Sequence, residues 1–188
     1  MESAEQLISA RSKRSIASRP RRVVVLGMMG RMPLAGVVWQ VLHYLEGFRR
    51  LGFDVYYVED TGAWPFNPEA NTVTADSSYS IALLDRILAA HGFADRWAYR
   101  DTARGGVFSG LSESAVRQLY ARADLLVNVT ASTTLREEHL RVPIRIYLES
   151  DPVLPQVEIA RGNRDRIELL DTHTHPESFR FRRRSLRT

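Results

Sequence analysis

Apolar positions along this chain switch repeatedly between a strand rhythm and a helix rhythm. Val23-Val24-Val25-Leu26 is a short, β-branched apolar run, as in a strand buried on both faces. A loop bearing Gly27, Gly30 and Gly36 follows. From there Val37, Val38, Val41, Leu42, Leu45 and Phe48 recur at helical spacing. Gly52 stands where a helix C-terminus takes a residue at positive φ. Phe53 to Val58 reads as a second strand, with Glu59 and Asp60 at its C-terminal edge. Strand, helix and strand make a right-handed βαβ unit, whose ligand crevice lies at the strand C-terminal ends.

The alternation continues. Thr61 to Ser77 is a long loop holding Pro65, Pro68, Trp64 and Phe66, whose aromatics either pin it to the body or serve a ligand. Asp76-Ser77-Ser78 caps a helix over Tyr79–Ala90. Phe93 to Asp101 reads as a connection with a short strand, and Thr102 to Gly110 as a flexible glycine-bearing loop. Ser112 opens a helix carrying Val116, Leu119 and Tyr120. Asp124–Val129 and Pro143–Leu148 read as strands, joined by a polar loop and a short helical piece at Leu135–Leu140. A helix over Val153–Arg164 precedes a last strand-like run, Ile167–Leu170. This order predicts an α/β fold with a doubly wound, mostly parallel, Rossmann-like sheet in a single domain over residues 21–179. Residues 1–20 read as a flexible basic arm and residues 180–188 as a basic tail, a possible truncation point.

Charge changes the picture of partners. The net charge is +4, but 11 of the 26 basic residues sit in the two ends. Between Val23 and Phe179 there are 15 basic and 20 acidic residues, so the body is acidic. A nucleic-acid reader carries its basic stripe on the folded body, so no nucleic-acid partner is expected. Cysteine is absent, which excludes disulfides, thiolate metal sites and thiol nucleophiles. No run approaches the roughly eighteen apolar residues of a membrane span. With no apolar leader at the N-terminus, the expected location is the cytoplasm.

The first loop does not satisfy the dinucleotide fingerprint. Met28, Met29 and Met32 crowd the path a pyrophosphate would take, and no Walker lysine is present. Glu59 nevertheless stands where a ribose-binding acid would be, which keeps a nucleotide-binding module as one reading. The bland reading is that Gly30 and Gly36 permit a turn and a tight helix start, so that Gly36→Val would crowd that start.

The run Pro33-Leu34-Ala35-Gly36-Val37, the helix with Leu42, Leu45 and Arg49, and Leu51-Gly52-Phe53-Asp54-Val55 resemble the N-terminal half of GT-B glycosyltransferases. The likeness is to the retaining group that uses nucleotide-sugar donors. Asp124-Leu125-Leu126-Val127 resembles a later strand of that family, and Val142-Pro143-Ile144 the one after it. Ala35 and Phe53 depart from the family's usual glycine and histidine. The resemblance implies an acceptor-side domain, incomplete without a C-terminal donor domain. It implies a nucleotide-sugar substrate, a small-molecule or glycan acceptor and no tightly bound cofactor. Gly30, Arg31, Pro33 and Gly36 would then line the cleft near the donor phosphates. A non-catalytic α/β interaction protein is the remaining alternative.

Other polar residues fall at predicted strand ends: Glu59, Asp60, Asn128, Thr130, Glu149 and Asp151. Carboxylates there can orient a sugar hydroxyl or take its proton, which makes Glu59 and Glu149 the catalytic candidates. Asp60, Trp64, Asn128, Thr130, Asp151 and His173 are acceptor-side candidates. The competing reading is capping, by Ser132 or Thr133 before Leu135 and by Asp151 before Pro152. Asp171, His173 and His175 alternate as metal ligands on one strand face would, but the motif has no second half. It reads as a polar strand at the cleft rim, with no metal expected.

Overall fold

The computed structural model describes residues 19–177. Apart from Arg19 and Pro20, the expected arm and tail lie outside the described residues. The sheet is built on β1 (Arg22–Leu26), which pairs in parallel with β2 (Asp54–Glu59) on one side and β7 (Leu125–Val129) on the other. Next to β2 come β5 (Trp97–Asp101) and the antiparallel edge strand β6 (Val107–Gly110). Beyond β7 lies β8 (Ile144–Leu148), with the short β9 (His175–Glu177) added at its edge. The order is β6-β5-β2-β1-β7-β8-β9. Counting the parallel strands alone, their order across the sheet is third, second, first, fourth, fifth, sixth. That is the arrangement of doubly wound, Rossmann-like folds, with a switch point between β1 and β7.

Strand alternation splits the core in two. Val23, Val25, Val55, Tyr57, Trp97 and Tyr99 face α1 (Ala35–Arg50) and α2 (Ser78–Ala90), meeting Val41, Leu45, Leu84 and Leu88. Val24, Leu26, Val58, Ala98 and Leu126 face α3 (Glu113–Arg122) and the short α4 (Glu137–Leu140), meeting Val116, Leu119 and Tyr120. Burial on both faces is why the central strands read as unbroken apolar runs. Gly52 ends α1 at φ +83, and the Phe53 amide returns to the Phe48 carbonyl at 3.1 Å.

Three segments differ from the sequence reading. The long loop after β2 holds a small hairpin, β3 (Phe66–Asn67) and β4 (Thr72–Val73), whose turn is held by Asn67 Oδ1 accepting from the Glu69 and Ala70 amides. The run 102–110 is a tight turn and a paired edge strand, made possible by Gly105 and Gly106 at positive φ. Ile167–Leu170 belongs to a helix, not a strand. α5 (Val153–Ala160) stops at Gly162 (φ +78), and Asn163 then caps α6 (Arg164–Asp171), its side chain accepting from the Asp165 and Arg166 amides.

Candidate functional site at the switch point

At the switch point the chain leaves β1 into the loop 27–34. Gly27 allows the exit: a Cβ there would lie 2.9 Å from Tyr57 Cε2 and 3.0 Å from Val41 Cγ2. Strand alternation puts Tyr57 and Glu59 on the same side as this loop. The Met29 amide donates to Tyr57 Oη (3.0 Å), the Gly30 amide to Glu59 Oε2 (2.8 Å) and the Arg31 amide to Glu59 Oε1 (2.6 Å). Tyr57 Oη donates to Glu59 Oε2 at 2.6 Å. Ser80 of α2 donates its hydroxyl to the Gly30 carbonyl (2.7 Å), and the Phe66 amide reaches the Arg31 carbonyl (2.8 Å). The loop is therefore tied to β2, α2 and β3 at once.

Glu59 is fully buried. Burial raises its carboxyl to about 7, opposed by the Tyr57 hydroxyl and by the Gly30 and Arg31 amides, which favour the ionised form. Burial and the neighbouring Glu59 push the Tyr57 phenol well above its usual value. Three consecutive loop amides are spent on these two side chains. A carboxylate of the protein thus occupies the place of an anion at the loop, and Glu59 has no oxygen turned outward for a ribose. What this loop leaves open is the start of α1, exposed at Leu34, Ala35 and Gly36 and without a side-chain cap, and the half-buried Arg31. The Arg31 side chain makes no hydrogen bond or ion pair among the described residues. Pro33 is half-buried on the way into the helix.

Gly36 is not the tight position the sequence suggests. A Cβ there meets nothing within 4 Å. The crowding expected at residue 36 belongs to Gly27, and to Gly30, whose Cβ would approach Leu84 Cδ1 at 3.0 Å.

The opposite wall follows β7. Leu26 and Asn128 are register partners, so the two loops leave the sheet side by side. Asn128 is fully buried. Its Oδ1 accepts from the Thr133 amide (3.2 Å) and the Ser132 hydroxyl (3.3 Å), while Nδ2 donates to the Thr133 carbonyl (2.8 Å) and to His173 Nε2 (3.2 Å). His173 in turn contacts the Leu169 carbonyl through Nδ1 at 2.8 Å. These partners select the neutral ring with its proton on Nδ1, and burial lowers the His173 pKa accordingly. Ser132 and Thr133 are therefore bound to Asn128 and do not cap α4; the Arg136 amide is met there by His139 Nδ1 at 2.9 Å. Thr130 and Ala131 both hold left-handed backbone, at φ 53 and 52. Two such non-glycine residues in succession are costly and concentrate at places where a loop must be held in one shape.

The remaining candidates divide by neighbourhood. Glu149 accepts from the Tyr147 hydroxyl and from the Ser150 and Asp151 amides, so it organises the β8 exit. Asp151 is exposed and accepts from the Val153 amide at 3.4 Å, at the start of α5. Asp60 is buried and held by Arg100 (3.4 Å) and Arg136, neither of which stands out in the sequence. Trp64 is 53% exposed in the loop after β2. The two histidines near the end of the described chain point different ways. His173 turns inward to Asn128, whereas His175 is exposed beside Thr174. Among the described residues no group of three or more ligating side chains is placed to hold a metal, and no helix is long and apolar enough to cross a membrane. Tyr57 and Ser80 form part of the site without being singled out by sequence reasoning. For Tyr57 the available signal is its position two residues before Glu59, on the same strand face.

Comparison with known proteins finds no matching protein family, no matching curated protein and no matching solved structure.

Proposed function

We infer that this chain is the acceptor-side domain of a nucleotide-sugar-dependent glycosyltransferase, working with a second domain that holds the donor nucleotide. The observation that carries this choice is the capture of Glu59 by the loop amides of Gly30 and Arg31. A dinucleotide or ATP module needs such amides free for phosphate and an acid free for ribose, and here the two consume each other. What remains suits a lesser part in holding a donor: the Arg31 guanidinium and the uncapped start of α1 favour a phosphate approaching from outside.

Large exposed apolar side chains support a docking second domain. Leu34 (46%), Trp64 (53%), Val153 (67%) and Leu154 (60%) all lie in segments that follow strand C-terminal ends. On this reading Trp64 offers a ring face to the acceptor sugar. Glu149, Asp151 and Thr130 line the β7–β8 side of the crevice, and Glu149 is the carboxylate nearest to a role in the reaction.

Amide-resolved NMR titration tests the reading. UDP-hexoses and GDP-hexoses should shift Arg31 and Leu34–Val37 at millimolar concentration, as expected for a domain that touches only the phosphates. Micromolar saturation by NAD or ATP, with shifts at Gly30 and Glu59, would make the chain a nucleotide-binding module and end the proposal.

A further inference from the structure

The two edges of the sheet are unlike. β9, at one edge, is three residues long and carries Pro176 and Glu177, which discourage a further strand. β6, at the other, is Val107-Phe108-Ser109-Gly110, with neither charge nor proline. Among the described residues its only strand partner is β5.

The Leu111 amide donates to the Trp97 carbonyl at 2.8 Å, so these two residues face each other as a hydrogen-bonded pair. Antiparallel alternation makes Ser109 with Tyr99, and Val107 with Asp101, the next such pairs. The N–H and C=O of Phe108 and of Gly110 therefore point away from β5, and none of the four has a partner among the described residues. A row of unpaired backbone donors and acceptors calls for another strand. The side chains suit one. Val107 is 51% exposed. Gly110, at φ +77, leaves its stretch of edge bare, because a Cβ there would run into the Trp97 carbonyl oxygen.

We propose that β6 pairs antiparallel with β6 of a second copy of this chain, about a two-fold axis at Ser109, joining two sheets into one. The strand is self-complementary in that register. Phe108 stands opposite the partner's Gly110, and Gly110 opposite the partner's Phe108, so the free groups of both copies are used in four hydrogen bonds. Each phenyl ring lies over the other copy's bare glycine, while on the opposite face Val107 meets the partner's Leu111. Arg104, in the turn before β6, comes toward the partner's Glu113 at the start of α3, a pairing of opposite charge. β6 itself carries no charge that would select a basic or an acidic peptide instead. It lies three strands from β1, so the crevice at the switch point stays open in the dimer.

The chain has no cysteine, which allows a register-specific test. At the axis the two Ser109 residues form a non-hydrogen-bonded pair with Cα atoms about 4.5 Å apart, within disulfide reach. The two Val107 residues are separated by four strand residues, about 13 Å, and are out of reach. Under mild oxidation Ser109→Cys should give covalent dimer at least about tenfold faster than Val107→Cys. The contact is small, so the unmodified protein should show a reversible dimer in sedimentation at about 100 µM. Ser109→Lys sets two ammonium groups against each other on the axis while keeping every backbone bond, and should be monomeric there. Equal cross-linking of the two cysteine variants, an unmodified protein that is monomeric at that concentration, or a dimer that survives Ser109→Lys would each overturn the proposal.

Discussion

Replacing Glu59 with glutamine separates the two forces acting on the first loop. Burial pushes the carboxyl from its ordinary 4.5 to about 7, while three hydrogen bonds pull the other way. Below pH 4.5 the group is protonated in both the folded and unfolded chain, and its contribution to stability is fully present. Between 4.5 and about 7 the unfolded chain has released this proton and the folded chain keeps it, so stability falls as pH rises. Above 7 the loss is complete. A gap of about 2.5 pH units at about 1.4 kcal/mol each gives roughly 3 kcal/mol, undiminished by solvent because the side chain is fully buried. The Glu59→Gln protein cannot titrate there and should lack this drop. Urea unfolding followed by tryptophan fluorescence, at intervals from about pH 5 to about pH 8, measures the difference between the two proteins. Wild type should lose roughly 3 kcal/mol relative to the variant across that range. Parallel profiles would refute the argument. A wild type that gains on the variant as pH rises would mean that the loop amides outweigh burial, and that the carboxylate is welcome inside.

Three other outcomes are expected. Gly27→Ala should cost about 1–3 kcal/mol in urea unfolding, because its Cβ meets the Tyr57 ring and Val41. Gly36→Ala, on an exposed position of α1 with open space around it, should be neutral or stabilise by up to about 1 kcal/mol, and a loss there would contradict the geometry. Asp60→Ala should cost about 2–4 kcal/mol in the same assay, since it removes the buried carboxylate that Arg100 and Arg136 share.

The sheet is legible because its central strands are buried on both sides, and Val23–Leu26 and Leu125–Val127 therefore carry unbroken apolar runs. Ile167–Leu170 shows the limit of that signal. Four apolar-rich residues suit a strand and a helix alike, and the deciding information is the Gly162-Asn163 pair just before them. Glu59 is found by position, yet its role is the inverse of the one that position suggests. A strand end places a carboxylate at the crevice, but only the packed loop decides whether it faces a ligand or the chain itself. Asp60 and Arg136 are 76 residues apart, and no local pattern announces such a pairing. Gly36 invites over-reading, because a glycine at a helix start signals permission for close approach and not its occurrence.

Asn128 carries a consequence for how the molecule opens. α6 has no buried residue of its own and would be expected to fray early. His173, just past its end, is anchored on Asn128, which also holds both the amide and the carbonyl of Thr133. Detaching α6 leaves a fully buried amide short of a partner, so the helix and the loop after β7 are expected to exchange hydrogen as one unit. Segments some forty residues apart in the chain then share a single opening energy. The left-handed pair Thr130-Ala131 sits inside that unit, so its strain is released only when the far side of the domain lets go.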